Sequence, residues 1–263
     1  MGGEVQLNEF WRLHSGLDRE GPGSEESTRR ALGLAGDLGA APTVLDLGCG
    51  PGAQSVTLAL ALPDAQITAV DLHEDFVAHV RRRAAGAGVA DRVRAVVGDM
   101  ADVAQLAGLA GGATEPTAGN QVYDLVWSEG AAYILGFERA LREWRALLAE
   151  GGVLALSEPV WLAPGVPRPI GEFWESSYPD IQTAQTRRAQ ILAAGYHRIG
   201  DFTLPRGDWD AYYDPLRSRM AELRGDPTVA SVIAAHDKEL AVFNGGGAAA
   251  VGYQFFVMRV LGP

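Results

Sequence analysis

The segment Val44-Leu45-Asp46-Leu47-Gly48-Cys49-Gly50-Pro51-Gly52 constrains the fold more than any other stretch of the chain. An apolar run with one embedded acid meets three glycines at alternate positions, and a helical pattern begins at Ala53. Glycine permits a tight turn and leaves backbone amides bare for a ligand. The segment therefore predicts a buried strand, a sharp turn and a helix N-terminus. The same rhythm continues downstream. Strands are predicted at 67–70, 93–97, 122–127 and 152–156, with helices at 53–62, 75–87 and 137–149 between them. Such βαβ alternation means a parallel sheet with helices on both faces. A loop is predicted over 108–120.

The rest of the chain reads differently. Phe10, Trp11, Leu13 and Leu17 have helical spacing before a Gly21-Pro22-Gly23 break, and Ser24 or Ser27 then caps a helix running to about Leu38. Residues 159–179 read as a structured loop, 183–194 as a helix and 196–204 as a sixth strand. Residues 205–250 are mostly helical, with a turn at Gly245-Gly246-Gly247, and 252–261 form a final strand. The late pair of strands predicts an antiparallel edge. We divide the chain into a helical lid (1–40), a ligand-binding core (41–204), a helical insertion that serves as substrate lid (205–250) and the final core strand (251–263).

Composition narrows the function. The chain has 263 residues and a net charge of −11, which disfavours a nucleic-acid partner because phosphates require a basic surface. One cysteine, Cys49, excludes an intramolecular disulfide and fits a reducing compartment. No apolar run is long enough to span a bilayer, and no signal peptide is read, so the expectation is a cytoplasmic protein without a membrane partner. A monomer or a homodimer is expected. The histidines lack metal-ligand spacing, so no metal site is predicted.

Three acids qualify the ligand. Asp46 precedes the glycines and suits an ammonium better than an anionic pyrophosphate. Asp71 ends the second strand, 21 residues after Gly50, where an acid accepts from ribose hydroxyls. Gly98-Asp99-Met100 ends the third strand, where a carboxylate holds an exocyclic amine and an apolar neighbour packs on adenine. Together they describe a cationic adenosine that carries an amino acid. Gly48-x-Gly50-x-x-Ala53 also satisfies the dinucleotide fingerprint, so an NAD-dependent oxidoreductase is the alternative. A non-catalytic binding protein is a third reading.

Between about Thr43 and Glu158 the chain resembles the class I S-adenosylmethionine-dependent methyltransferases. The motifs that carry this are VLDLGCGPG (44–52), AVDL (69–72), GDM (98–100), DLVWSEGAAY (124–133) and GGVLALSE (151–158), in order. The resemblance implies a Rossmann-like α/β fold, with a seven-stranded sheet, mostly parallel, whose last strand is antiparallel. It implies S-adenosyl-L-methionine as cofactor and a small-molecule methyl acceptor. Gly48 and Gly50 would line the methionine part, with Asp46 near its amino group, and Cys49, within the glycine loop, reads as a small packing residue beside the cofactor. Asp71 would take the ribose, Leu72 would pack on adenine, and Asp99 and Met100 would meet its edge and ring. Ser128 and Glu129 would lie beside the transferable methyl. Residues 10–28 and 128–144 also resemble a bacterial subgroup of small-molecule methyltransferases.

Other residues carry expectations from their positions. Glu129 is the first candidate general base and His14 the second, the alternative for His14 being a packed core histidine. Tyr133 donates to the substrate or caps the pocket wall. Glu158 reads as a substrate contact or a structural hydrogen-bond partner. Trp11 is placed on a lid helix against the substrate, and Trp161 and Tyr178 are expected either to pack as ordinary core or to form an apolar cap over the acceptor. Arg19, with residues 24–28, holds the cofactor carboxylate or lies on the surface.

Overall fold

A computed structural model describes residues 9–109 and 122–261. Eight strands form one sheet: β1 (Thr43–Leu47), β2 (Gln66–Asp71), β3 (Val93–Val97), β4 (Tyr123–Glu129), β5 (Leu148–Trp161), β6 (Gln182–Thr183), β7 (Tyr196–Thr203) and β8 (Val251–Val260). The order is β3-β2-β1-β4-β5-β8-β7, with the two-residue β6 beside the far end of β5. Pairing is parallel from β3 to β5. β8 runs antiparallel to both of its neighbours, β5 and β7. The Rossmann-like fold class read from the sequence is therefore present, with β6 as an addition to the seven expected strands.

The helices are α1 (residues 9–14 of it), α2 (Glu25–Ala35), α3 (Ala53–Ala61), α4 (Glu74–Gly86), α5 (Val103–Ala107), α6 (Ala132–Leu135), α7 (Phe137–Trp144), α8 (Arg168–Ser177), α9 (Ala184–Ala193), α10 (Arg206–Leu223), α11 (Ala230–Val242) and α12 (Ala248–Ala250). Ser24 caps α2, its hydroxyl accepting from the Ser27 amide at 3.1 Å. Strand side chains alternate between two apolar layers. Val44, Leu125, Trp127, Phe255 and Val257 face α2, α3, α4, α10 and α11. Leu45, Leu47, Val126, Phe256 and Met258 face α5, α7 and α9. Trp209, Tyr213, Leu216, Met220, Ile233 and Phe243 share the first layer, so residues 205–250 pack as part of the core.

Two elements differ from the sequence reading. β5 starts four residues early because a register shift between Tyr123 and Leu125 absorbs the Gly151-Gly152 step. It also runs five residues further, since β8 pairs with it as far as Trp161. The region expected as a loop, 159–179, contains α8, which begins after Pro167 and buries Ile170. The loop expected over 108–120 lies largely outside the described residues.

α7 illustrates how packing sets up the site. Phe137, Ala140, Leu141 and Trp144 fall at helical spacing and are all buried. The Trp144 indole N–H donates to the Met100 carbonyl at 3.0 Å, which fixes the turn after β3. Trp144→Ala should lower the unfolding free energy by about 3–5 kcal/mol, measured by urea denaturation, as for other buried aromatic truncations.

Candidate functional site

The strand order reverses between β1 and β4, and in open parallel sheets ligands sit beyond the strand ends at such a point. The loops that leave these two strands meet there. A Cβ on Gly48, which has φ 64°, would lie 2.4 Å from the Ala131 Cβ. Only a glycine lets the β1 loop pass so close to the β4 loop. The Cys49 amide donates to the Val70 carbonyl at 3.0 Å, and the Gly50 amide donates to Asp71 Oδ2 at 2.9 Å. Both bonds tie the loop to the end of β2.

Asp46 supports this loop from behind. It is fully buried and does not line the cavity. The Ser55 hydroxyl donates to its Oδ2 at 2.5 Å, and Gln54 Nε2 donates to Oδ1 at 3.4 Å and to the Cys49 carbonyl at 3.0 Å. Burial pushes its pKa up to about 7, against the pull of the Ser55 bond. Cys49 lines the cavity, yet its thiol is buried and pushed well up by burial, the opposite of an activated nucleophile.

In front of the loop lies a cavity of about 500 Å³. Asp71 forms one polar edge and also accepts from the His73 amide at 3.0 Å. Asp99 forms another, its Oδ1 accepting from the Ala101 amide at 2.8 Å. Leu72, Phe76, Met100 and Trp11 supply apolar wall. The Leu72 side chain is 63% exposed, a large open aliphatic surface beside a carboxylate. Trp11 lies 3.8 Å from the His73 ring and 4.9 Å from Phe76, so α1 roofs the adjoining wall.

Several residues expected to act on substrate take other positions. Glu129 borders the cavity, but three donors occupy its carboxylate: Thr28 Oγ1 at 2.7 Å and Trp127 Nε1 at 3.0 Å on Oε1, and Arg19 at 3.0 Å on Oε2. It clasps the N-terminal segment to the end of β4. Arg19 is thereby a cavity wall as well as a clasp partner. Ser128 is buried and donates to the Leu47 carbonyl at 3.0 Å, away from the cavity.

Of the two readings of Glu158, the structure places it as a structural hydrogen-bond partner. It is fully buried, pairs with Arg187 at 3.1 Å and accepts from the Tyr178 hydroxyl. Burial pushes its pKa up to about 7, with Arg187 opposing. Glu158 and Tyr178 thus form a structural cluster outside the cavity, and Trp161 lines a separate surface hollow. A linear motif gives no sign of these positions, because they follow from the packing of α8 and α9. Tyr133 does line the cavity, and burial pushes its hydroxyl pKa up.

His14 is buried behind the cavity wall. Its Nδ1 lies 2.5 Å from Glu20 Oε2, and Glu20 itself lines the cavity. Glu20 was missed in the sequence. It stands in a run of acids and bases, and only the fold brings it within 3.8 Å of where a Gly50 Cβ would be. Among the described residues no three His, Cys, Asp or Glu side chains gather to hold a metal ion. No helix among them is long and apolar enough to cross a membrane.

Known proteins share this fold. Residues 44–152 match the model of the methyltransferase domain family. The chain is 39% identical over 75 residues to a release factor glutamine methyltransferase of Chlorobaculum tepidum, a match covering 28% of this chain and 26% of that protein. It is 33% identical over 138 residues to a trans-aconitate 2-methyltransferase of Paracidovorax citrulli, covering 51% and 46%. The chain thus spans about a quarter to a half of these relatives. An S-adenosylmethionine-dependent methyltransferase of Geobacter sulfurreducens, solved with S-adenosyl-L-homocysteine, shares the fold with a TM-score of 0.78 and 22% identity, over 97% of this chain and 98% of that one.

The Asp46 environment makes a pH-dependent prediction. Its folded-state pKa lies above the unfolded value, so the folded state holds the proton more tightly. Any stability this provides is complete below about pH 4 and declines as pH rises towards 7. Relative to Asp46→Asn, the wild-type protein should lose stability over that window, at no more than about 1.4 kcal/mol per pH unit. Thermal melts across the range would measure it.

Proposed function

We propose that the protein transfers a methyl group from S-adenosyl-L-methionine to a small-molecule acceptor by in-line displacement. The observation that carries this reading is the pairing of the bare Gly48–Gly50 loop with Asp71 at the switch point. The Gly50 amide already touches Asp71 Oδ2 at 2.9 Å, and the open Leu72 surface stands next in sequence.

The residues fit that cofactor. The loop has no Cβ at Gly48 or Gly50 to block a close approach, and a Cβ at Gly48 would already meet Ala131. Asp71 has lone pairs beyond those given to the two amides and suits ribose hydroxyls. Leu72 and Met100 suit the two faces of a flat base, with Asp99 at its edge. Two carboxylates on the cavity, Asp71 and Asp99, would repel a pyrophosphate and tolerate a cation, which disfavours the NAD reading.

When bound, S-adenosylmethionine supplies a methyl group activated by its sulfonium. The protein's part is to orient the acceptor behind that methyl and to exclude water. Orientation of this kind supplies roughly 7–11 kcal/mol of a barrier. The volume of about 500 Å³ suits small-molecule ligands. α1, Arg19–Pro22 and Tyr133 close over it, which supports a small acceptor. The trans-aconitate methyltransferase among the relatives is named for such an acceptor, whereas the release factor enzyme is named for a protein.

Calorimetry with S-adenosylhomocysteine and with NADH tests the reading. The first should bind in the micromolar range and the second should not. Asp71→Asn should weaken S-adenosylhomocysteine by about tenfold to a hundredfold, the effect of losing a charged hydrogen-bond acceptor. Binding of NADH alone would replace methyl transfer with hydride chemistry.

A further inference from the structure

Arg19 is the single Arg or Lys among the described residues that line the cavity. Its guanidinium is held in place by the protein itself. Nη1 donates to Glu129 Oε2 at 3.0 Å, and Glu129 is in turn held by Thr28 and Trp127. Gly23 packs against the other side of this pair. A Cβ there would stand 2.7 Å from Arg19 Nη1 and 3.1 Å from Glu129 Oε2. The Gly23 amide donates to the Asp208 carbonyl at 3.2 Å, which ties the segment to α10.

Only part of the guanidinium is used. Nε and Nη2 make no hydrogen bond among the described residues, and both keep accessible surface. These two nitrogens form one edge of the planar group, with parallel N–H bonds that match the two oxygens of a carboxylate. An edge already fixed in position binds without the cost of ordering a long side chain. The walls beside it are apolar. Phe10 and Trp11 come from α1, and Tyr133 and Ile134 from α6. Ile134 borders the cavity and is 67% exposed, an open aliphatic surface on its rim.

Near this edge no described side chain is disposed to take a proton. Three donors occupy Glu129. Glu20 has Oε2 on His14 at 2.5 Å, and its Oε1 is sealed from the cavity. His14 is buried behind the wall, and burial pushes the Tyr133 hydroxyl up. His73 packs on Trp11 at 3.8 Å beside Asp71, on the adenosine side of the proposed cofactor site. An acceptor that arrives as an anion needs no base.

We propose that the methyl acceptor is an apolar monocarboxylic acid, that Arg19 holds its carboxylate through the Nε–Nη2 edge, and that a carboxylate oxygen takes the methyl group. The assignment rests on the methyl-transfer reading above and names its substrate class. A carboxylate offers about four lone-pair sites, and a side-on guanidinium uses two of them. A remaining pair on one oxygen forms the bond to the methyl carbon, while the carbon–sulfur bond breaks with its electron pair on sulfur. The acid becomes a methyl ester and the sulfonium a thioether. The negative and positive charges cancel, and no proton moves. A second carboxylate on the acceptor would meet no further cation, only Asp71 and Asp99. The apolar remainder of the acid lies along Tyr133 and Ile134.

The test is calorimetry of the full chain, with and without S-adenosylhomocysteine, titrated with phenylacetate, cinnamate and octanoate and with the matching alcohols. The acids should bind the complex at least about tenfold more tightly than the alcohols. Arg19→Lys keeps a charge for Glu129 and loses the two-nitrogen edge. It should weaken the acids by about tenfold to a hundredfold and leave the alcohols and S-adenosylhomocysteine within about twofold. Acids that bind no better than alcohols, that do not bind, or that are indifferent to Arg19→Lys would overturn the proposal. A loss of about tenfold or more in S-adenosylhomocysteine affinity in Arg19→Lys would assign Arg19 to the cofactor's carboxylate and overturn it as well. With methyl-labelled cofactor, the product should release its label as volatile methanol in mild alkali, as methyl esters do and ethers and methylamines do not. The kcat/KM for an acid should stay level between about pH 6 and pH 9, since the carboxylate is ionised throughout. Alkali-stable products alone, or no turnover of any acid, would overturn the ester assignment. Failure of S-adenosylhomocysteine to bind the wild type would sink the methyl-transfer reading and the ester step with it. Capture of the acids by Arg19 is then decided by the titrations without S-adenosylhomocysteine.

Discussion

Gly48 passes Ala131 with no room for a single carbon between them, and the site is organised around that contact. Because the β1 loop can lean on the β4 loop, Cys49 and Gly50 reach the end of β2 and bond to Val70 and Asp71. Because Asp71 is held by two amides, the open face of Leu72 is presented to the same space. Asp46, Ser55 and Gln54 hold the loop from below. Three strands are coupled here with little help from side-chain packing. A fourth, β3, joins through Met100, whose carbonyl is pinned by Trp144.

The two buried carboxylates off the main loop show how environment separates equal chemistry. Glu158 faces a guanidinium and a phenol, and together they close a structural cluster under α8 and α9. Glu20 faces an imidazole that in turn faces another imidazole. An arginine cannot give up its proton at ordinary pH, so the first cluster is electrostatically fixed. An imidazole can change its tautomer, so the second is not.

The fold was legible because its signals are local. Glycines after a buried strand, acids at strand ends and the alternation of strands and helices can each be read within about ten residues, and they located the sheet and the Asp71, Leu72, Asp99 and Met100 edge. What escaped the sequence depends on distant partners. The partners of Glu129, Thr28 and Arg19, are brought against it from about a hundred positions away. His14 stood as an isolated histidine until α11 placed His236 beside it. Trp161 and Tyr178 read as core or as substrate cap on composition alone, and the course of α8 directs them away from the cavity.

The position of β8 has a consequence for how the molecule is made. It lies between β5 and β7, pairing Val153 with Arg259 and Tyr196 with Val260. Both neighbours are synthesised before the strand that separates them. Until β8 arrives, β5 exposes one unpaired edge and β7 has no partner on either side, and such edges pair readily with one another or with other chains. Between the synthesis of β7 and that of β8 the nascent chain therefore carries a five-stranded parallel sheet and a lone strand, and the late strand inserts between them to join β7 to the sheet.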